Sequence, residues 1–149
     1  MTHELRRQAI RLLARREHTG AELARKLAAY GTNQEIAAVI ADLQASQLQS
    51  DGRAAESYLR SHAARLGAGR LRQDLRTRGV SAELIEAQLA AGALPGELDR
   101  ARAVWARKFP AVPADAREWA RQARFLQGRG FAGDVIRQLL KQVAGGGNQ

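Results

Sequence analysis

The sequence predicts an all-α protein: an elongated tandem array of three three-helix repeats. Three observations carry that expectation. Alanine is the commonest residue, β-branched residues are few, and the three prolines are confined to Pro95, Pro110 and Pro113, so helix formers dominate nearly everywhere. Helix-opening signatures recur at Thr19-x-x-Glu22, Thr32-x-x-Glu35 and Asp115-x-x-Glu118, each a capping oxygen followed by a carboxylate able to reach back. Glycines close the apolar-periodic runs at near-constant intervals, 48 residues separating Gly31 from Gly79 and 51 separating Gly79 from Gly130.

Each element follows from those marks. A first helix is expected over 2–16. The next, 19–29, opens on Thr19 and stops before Gly31; 33–47 opens on Thr32. Helices over 52–66, 69–78 and 82–91 stop before Gly67, Gly79 and Gly92, where a left-handed residue is expected just past the helix end. Leu94-Pro95-Gly96 reads as a linker, after which 97–109, 115–128 (opened by Asp115 and closed by Gly130) and 133–143 complete the set. The tail 144–149, with Gly145 to Gly147, is expected to be disordered. The glycine offsets superpose Leu27 on Leu75 and Leu126. Leu84, Ile85 and Leu89 fall on Val135, Ile136 and Leu140, and Ile36 and Ile40 match Ile85 and Leu89 after a one-residue slip. Periods of this length mark stacked helical units that bury their apolar faces on one another. The repeats are assigned to 1–50, 51–93 and 97–143.

The chain has 149 residues and a formal net charge of +9, from 24 Lys and Arg against 15 Asp and Glu. Only Lys26, Lys108 and Lys141 are lysines, so 21 of the cations are arginines, planar forks suited to carboxylate and phosphate. That balance points to an acidic partner. Residues 1–50 and 51–96 each carry 7 basic and 5 acidic groups, whereas 97–149 carry 10 and 5. Absence of cysteine excludes disulfides, thiolate metal sites and cysteine nucleophiles. No apolar run is long enough for a membrane span or a signal peptide, so a cytoplasmic chain without membrane contact is expected.

Catalytic chemistry is sparse. His3, His18 and His62 lack partners at ligand spacing and read as surface residues; no metal or cofactor is expected. Carboxylates stand singly among arginines, as helix pairs and caps do, and no enzyme is expected. Gly128-Arg129-Gly130-Phe131-Ala132-Gly133 fits G-x-G-x-x-G, but a dinucleotide site must follow a strand, and here Glu118 to Gln127 is helical with Trp119, Ala123 and Leu126 on one face. Tyr58, Trp105, Phe109, Trp119, Phe125 and Phe131 all occupy core-like positions, leaving few aromatics for stacking on single-stranded nucleic acid.

The candidate partner- or DNA-binding face is therefore basic: Arg25 and Lys26 in the first repeat; Arg70, Arg72, Arg76 and Arg78 in the second; Arg121, Arg124 and Arg129 in the third. Arg72 and Arg76 lie four apart, and Arg117, Arg121 and Arg124 align by fours and threes, spacings at which like charges destabilise a helix until a polyanion relieves them. Two kinds of binding are compatible with this: occupation of an acidic protein assembly, or direct DNA binding through helix-turn-helix-like repeats. Against the second, the helix after Gly79 begins Ser81-Ala82-Glu83, whose acid suits a helix N-terminus and not a phosphate.

Four segments resemble a known family. Asp51-Gly52-Arg53-Ala54-Ala55-Glu56-Ser57-Tyr58-Leu59-Arg60-Ser61 and Leu71-Arg72-Gln73-Asp74-Leu75-Arg76-Thr77-Arg78-Gly79-Val80 are similar to the central repeat of the RecX regulatory family. Arg121-Gln122-Ala123-Arg124-Phe125-Leu126-Gln127-Gly128-Arg129-Gly130-Phe131 resembles its third-repeat motif, and Ala9 to Leu13 with Arg15-Arg16-Glu17-His18-Thr19 its first. The resemblance covers residues 5–142. It departs at Ala54, where an aromatic is usual, and at Gly69-Arg70, in place of Gly-Pro; the first is expected to alter core packing and the second to loosen the turn into the next helix. The resemblance implies curved tandem repeats and a non-enzymatic regulator in DNA recombination, repair and the SOS response; a monomer is expected. Its implied partners are the RecA protein and the groove of the RecA–single-stranded-DNA filament, where it restrains filament extension, ATP hydrolysis and strand exchange.

Overall fold

The structure, a computed structural model, describes residues 2–92 and 94–145. Among them are nine α-helices and no strand: α1 (Thr2–Arg15), α2 (Gly20–Leu27), α3 (Asn33–Ala45), α4 (Asp51–His62), α5 (Ala68–Thr77), α6 (Ala82–Ala91), α7 (Glu97–Lys108), α8 (Ala116–Gly128) and α9 (Gly133–Ala144), with a 3-10 turn at Ala63–Arg65. The all-α expectation holds helix for helix. The fourth helix stops short of its expected end, tightening into the 3-10 turn after His62. Ala144, expected to begin a disordered tail, closes α9; residues 146–149 lie outside the described residues.

The capping signatures act largely as expected. Thr19 and Thr32 each accept from the backbone N–H three residues on, and Glu22 and Glu35 return the bond, completing two capping boxes. Asp115 accepts from Glu118 N at 2.8 Å, but the Glu118 carboxylate turns away to Arg121 and Gln122.

The glycine stops are of two kinds. Gly79 (φ 91°) and Gly130 (φ 93°) are left-handed. Behind each, two N–H groups fold back on the helix end: Gly79 to Arg76 O and Val80 to Leu75 O, then Gly130 to Gln127 O and Phe131 to Leu126 O. Gly31, Gly67 and Gly92 are not left-handed, contrary to expectation; Gly92 is extended at φ −68°. Gly67 is required by close approach instead, since a Cβ there would lie 2.4 Å from the Gly130 backbone; at Gly31 a Cβ would lie 2.8 Å from the side-chain end of Leu5, which would have to shift. At the end of α3 the left-handed residue is Gln47 (φ 62°), with Leu48 N bonded to Leu43 O at 2.9 Å.

The chain forms two compact units, Met1–Tyr58 with Leu75–Gly92, and Leu59–Asp74 with Ala93–Gln149. The core of the first gathers Leu5, Leu23, Leu27, Ile36, Val39 and Leu43; that of the second, Val104, Leu126, Phe131, Ile136, Leu139 and Leu140. Leu27, Leu75 and Leu126, superposed by the repeat, are each wholly buried. Ala54 is buried as well.

Two side chains depart from their expected settings. Trp119, expected in the core, is 38% exposed. Gln122 takes the interior position on α8, accepting from Trp105 Nε1 at 2.7 Å and donating to Ala111 O at 3.1 Å. His18, expected at the surface, is 1% exposed. Its Nδ1 meets Arg16 O at 3.0 Å and its Nε2 meets Lys26 Nζ at 3.1 Å, so the ring is held as the neutral Nδ1–H tautomer; burial first, then the Arg16 and Lys26 charges, lower its pKa. Arg100 is buried with Nη1 donating to Pro95 O, and desolvation lowers its pKa.

Candidate functional site

Each unit contains one junction built to a common plan. In the first, Thr19 Oγ1 donates to Arg78 O at 2.6 Å, Gly20 N donates to Asp51 Oδ1 at 2.8 Å, and a Cβ on left-handed Gly79 would lie 2.4 Å from Ala21 Cβ. In the second, Gly67 N donates to Arg129 O at 2.8 Å, Ala68 N donates to Glu97 Oε2 at 3.2 Å, and a Cβ on left-handed Gly130 would lie 2.5 Å from Arg70 N. The same 48- and 51-residue offsets relate Thr19 to Gly67, Gly20 to Ala68, and Arg78 to Arg129. Asp51 and Glu97 open α4 and α7, and each carboxylate satisfies the first free N–H of a neighbouring helix, where the backbone dipole favours negative charge. Glu97 Oε2 also accepts from Ala132 N at 3.3 Å, ahead of α9. The turn at Gly69-Arg70, expected to be loosened, is thus tied on both sides, and Gly69 N adds a bond to Gly130 O at 3.1 Å.

The junctions place the predicted cations differently. In the first unit Arg78 lies over the Tyr58 ring at 4.6 Å and 3.9 Å from Glu22 Oε2, which also receives Arg16 at 3.4 Å. Burial raises the Glu22 pKa, but the Thr19 N–H and the Arg16 and Arg78 charges outweigh it and leave the carboxyl below its ordinary range. Arg25 is exposed on α2, as is Lys26 beside His18. Arg76 is exposed on α5, whereas Arg72, expected to share an exposed face with it, is half-buried.

In the second unit Arg70 pairs with Asp74 at 3.2 Å on α5. Arg121 grips Glu118 through two bonds of 2.9 and 2.8 Å and lies over Phe109 at 5.2 Å. Those bonds, with one from Gln122, bring the Glu118 pKa down to about 2. Arg121 and Arg124 join Arg117 in a cleft of about 590 Å³ beside Pro110 and Val112. Arg129 is elsewhere, in a cleft of about 550 Å³ with Arg65, Arg107 and Lys108 over a floor of Val104 and Phe125. Among the described residues no carboxylate lines this second cleft. Sequence reasoning missed Arg65, Arg107 and Lys108; the sequence mark was the basic pair in the last turn of α7, directly before Phe109.

Among the described residues no cluster of three or more His, Cys, Asp or Glu could hold a metal, and no helix is long and apolar enough to cross a membrane. Three family models match in order along the chain: the RecX first three-helix domain at 6–43, the second at 50–89 and the third at 96–140. A protein of Leptothrix cholodnii named Regulatory protein RecX is 48% identical over 138 residues, covering 92% of this chain and 87% of that one. One of the same name from Chromobacterium violaceum is 44% identical over 137 residues, 91% and 88% of the two chains. The crystal structure of RecX from Lactobacillus salivarius shares the fold, with a TM-score of 0.82 at 18% identity over 96% of each chain.

Proposed function

The chain belongs to the RecX family, and from that premise we propose that it regulates the RecA recombinase by occupying the RecA–single-stranded-DNA filament. It acts by binding and not by catalysis, as a cytoplasmic monomer, and restrains filament extension, ATP hydrolysis and strand exchange. The observation that carries this reading is the ordered match of all three RecX domains to relatives named regulatory proteins. The exposed cations of both units support it, because a filament presents carboxylates and phosphates together. The repeats at 1–50, 51–93 and 97–143 supply successive contacts along the groove.

A titration of RecA ATPase and strand exchange tests the reading. Inhibition is expected at amounts well below one chain per RecA protomer; a folded chain that leaves both activities unchanged overturns it. The basis of the interaction is separable by salt. Replacing Arg121 and Arg124 with Gln flattens the slope of log K against log salt by about 0.7 for each single-strand phosphate that the two arginines neutralise. Weaker affinity at an unchanged slope assigns these arginines to protein carboxylates.

A further inference from the structure

The cleft between the 3-10 turn, the end of α7 and the C-terminal half of α8 concentrates four cations, Arg65, Arg107, Lys108 and Arg129, around one aromatic ring with no acid in its lining. These side chains are held in place. Lys108 Nζ stands over the Phe125 ring at 5.3 Å and the Arg129 guanidinium at 5.0 Å, while Phe109 packs edge-on at 5.4 Å. Arg107 Nη2 donates to Ala64 O at 3.4 Å, and Arg65 Nη2 to Ser61 O at 3.3 Å. The counterpart junction explains why the charge goes unanswered here. There Glu22 neutralises Arg78; the position 48 residues on, which the repeat aligns with Glu22, is Arg70, which pairs with Asp74.

The geometry points to this cleft as a docking site for an acidic protein segment, one whose carboxylates alternate with apolar side chains. Two features favour carboxylates of a protein over a nucleic-acid backbone. Single-strand binders leave aromatic faces open for bases, and here the Phe125 ring is covered by cations. The floor also contains buried Val104, which an apolar side chain next to a carboxylate complements and a sugar-phosphate does not. The arginine forks then take carboxylates in pairs. This inference rests on the filament reading and names the chemistry of one of its contacts.

The test uses the full chain and two labelled probes of equal charge, a peptide of alternating glutamate and leucine pairs and an oligothymidylate, in fluorescence anisotropy. Arg65→Gln with Arg107→Gln is expected to weaken peptide binding about tenfold, the combined effect of removing two partly exposed ionic partners. Arg11→Gln with Arg15→Gln removes the same charge from exposed positions of α1 in the first unit, outside the candidate binding face, and is expected to leave peptide affinity unchanged. Should the double variant fail to fold, Lys108→Gln provides the readout, with a smaller fall in peptide affinity expected. Equal losses from both double variants, or oligothymidylate bound more tightly than the peptide through the same arginines, overturn the assignment. A chain that inhibits RecA yet ignores the peptide overturns the cleft and leaves the filament reading standing; one that binds the peptide but does not affect RecA supports the cleft and overturns that reading.

Discussion

At the junction of the first unit a left-handed glycine presses on a Cβ alone, and the cation beside it is answered by a carboxylate; at the junction of the second, the glycine presses on a Cβ and on the backbone behind it, and the cation stands among other cations. Gly79 faces Ala21 Cβ, with Ala21 Cα at 3.8 Å, and Gly130 faces Arg70 Cβ, N and Cα, all within 2.9 Å. Arg78 meets Glu22, and Arg129 shares its cleft with Arg65, Arg107 and Lys108. The backbone plan is therefore repeated while the side-chain chemistry laid over it diverges. Helix ends and their bonds tolerate any residue that keeps the left-handed glycine and the N-terminal acceptor. The charges between them are free to vary, and one substitution, an arginine where the earlier repeat has glutamate, separates a neutralised junction from a cationic one.

The largest expected effect breaks the second junction. Gly130→Ala combines an unfavourable left-handed backbone with a Cβ 2.5 Å from Arg70 N, and should destabilise the second unit by about 3 kcal/mol or more in denaturant unfolding. Gly79→Ala should cost less, about 1–3 kcal/mol, because the nearest backbone atom, Ala21 Cα, stands 3.8 Å from the added Cβ, whereas at Gly130 two backbone atoms of Arg70 lie within 2.9 Å. Adding Ala21→Gly should recover part of that loss, whereas recovery of all of it would show that the left-handed conformation carries no penalty there.

Removing the carboxylates comes next. Asp51→Ala strips acceptors from Gly20 N and Gln49 Nε2 at 2.8 and 2.9 Å, and Glu97→Ala from Ala68 N and Ala132 N at 3.2 and 3.3 Å. Losses of about 1–2 kcal/mol are expected, larger for Asp51 because its bonds are shorter. An equal or reversed order would break the parallel between the two junctions.

Gln47→Gly sharpens it from the other side. Gln47 holds the left-handed position that glycine holds at Gly79 and Gly130, so the substitution should stabilise the first unit by about 1 kcal/mol. The smallest change distinguishes the units by pH. His18 has a folded pKa below its ordinary 6.5, so the unfolded chain takes the proton first as pH falls. Stability present above that value is lost on mild acidification. The denaturation midpoint of the first unit should fall as pH drops through the ordinary 6.5, and His18→Gln should remove that dependence; an unchanged slope in the variant would trace it to other groups.

Much of the fold was legible because it is written in local chemistry. Thr19 and Thr32 open helices with complete capping boxes, and Gly79 and Gly130 close them, since N–H satisfaction and left-handed backbone are decided within a few residues. Among the glycines that misled, Gly67 owes its identity to a backbone far along the chain, and Gly31 packs against the side chain of Leu5. Trp119 and His18 misled for a similar reason: which residue fills an interior position depends on partners such as Trp105 and Lys26, several turns or an element away. Of the nine predicted cations, the sequence grouped Arg121 with Arg124 correctly by helical spacing. It could not bring Arg65 and Arg107 to Arg129, because nothing local relates those three segments.

By itself the sequence determined the helices, their order, the threefold repeat and the excess of arginine, all properties of spacing and composition. Tertiary structure alone decided which arginines are neutralised, which are stacked on rings, and which four converge without an acid. Charge pairing is set by distances of a few ångströms between segments tens of residues apart, and a repeat that preserves backbone bonds leaves those distances, and hence the sign of each surface, to the packed fold.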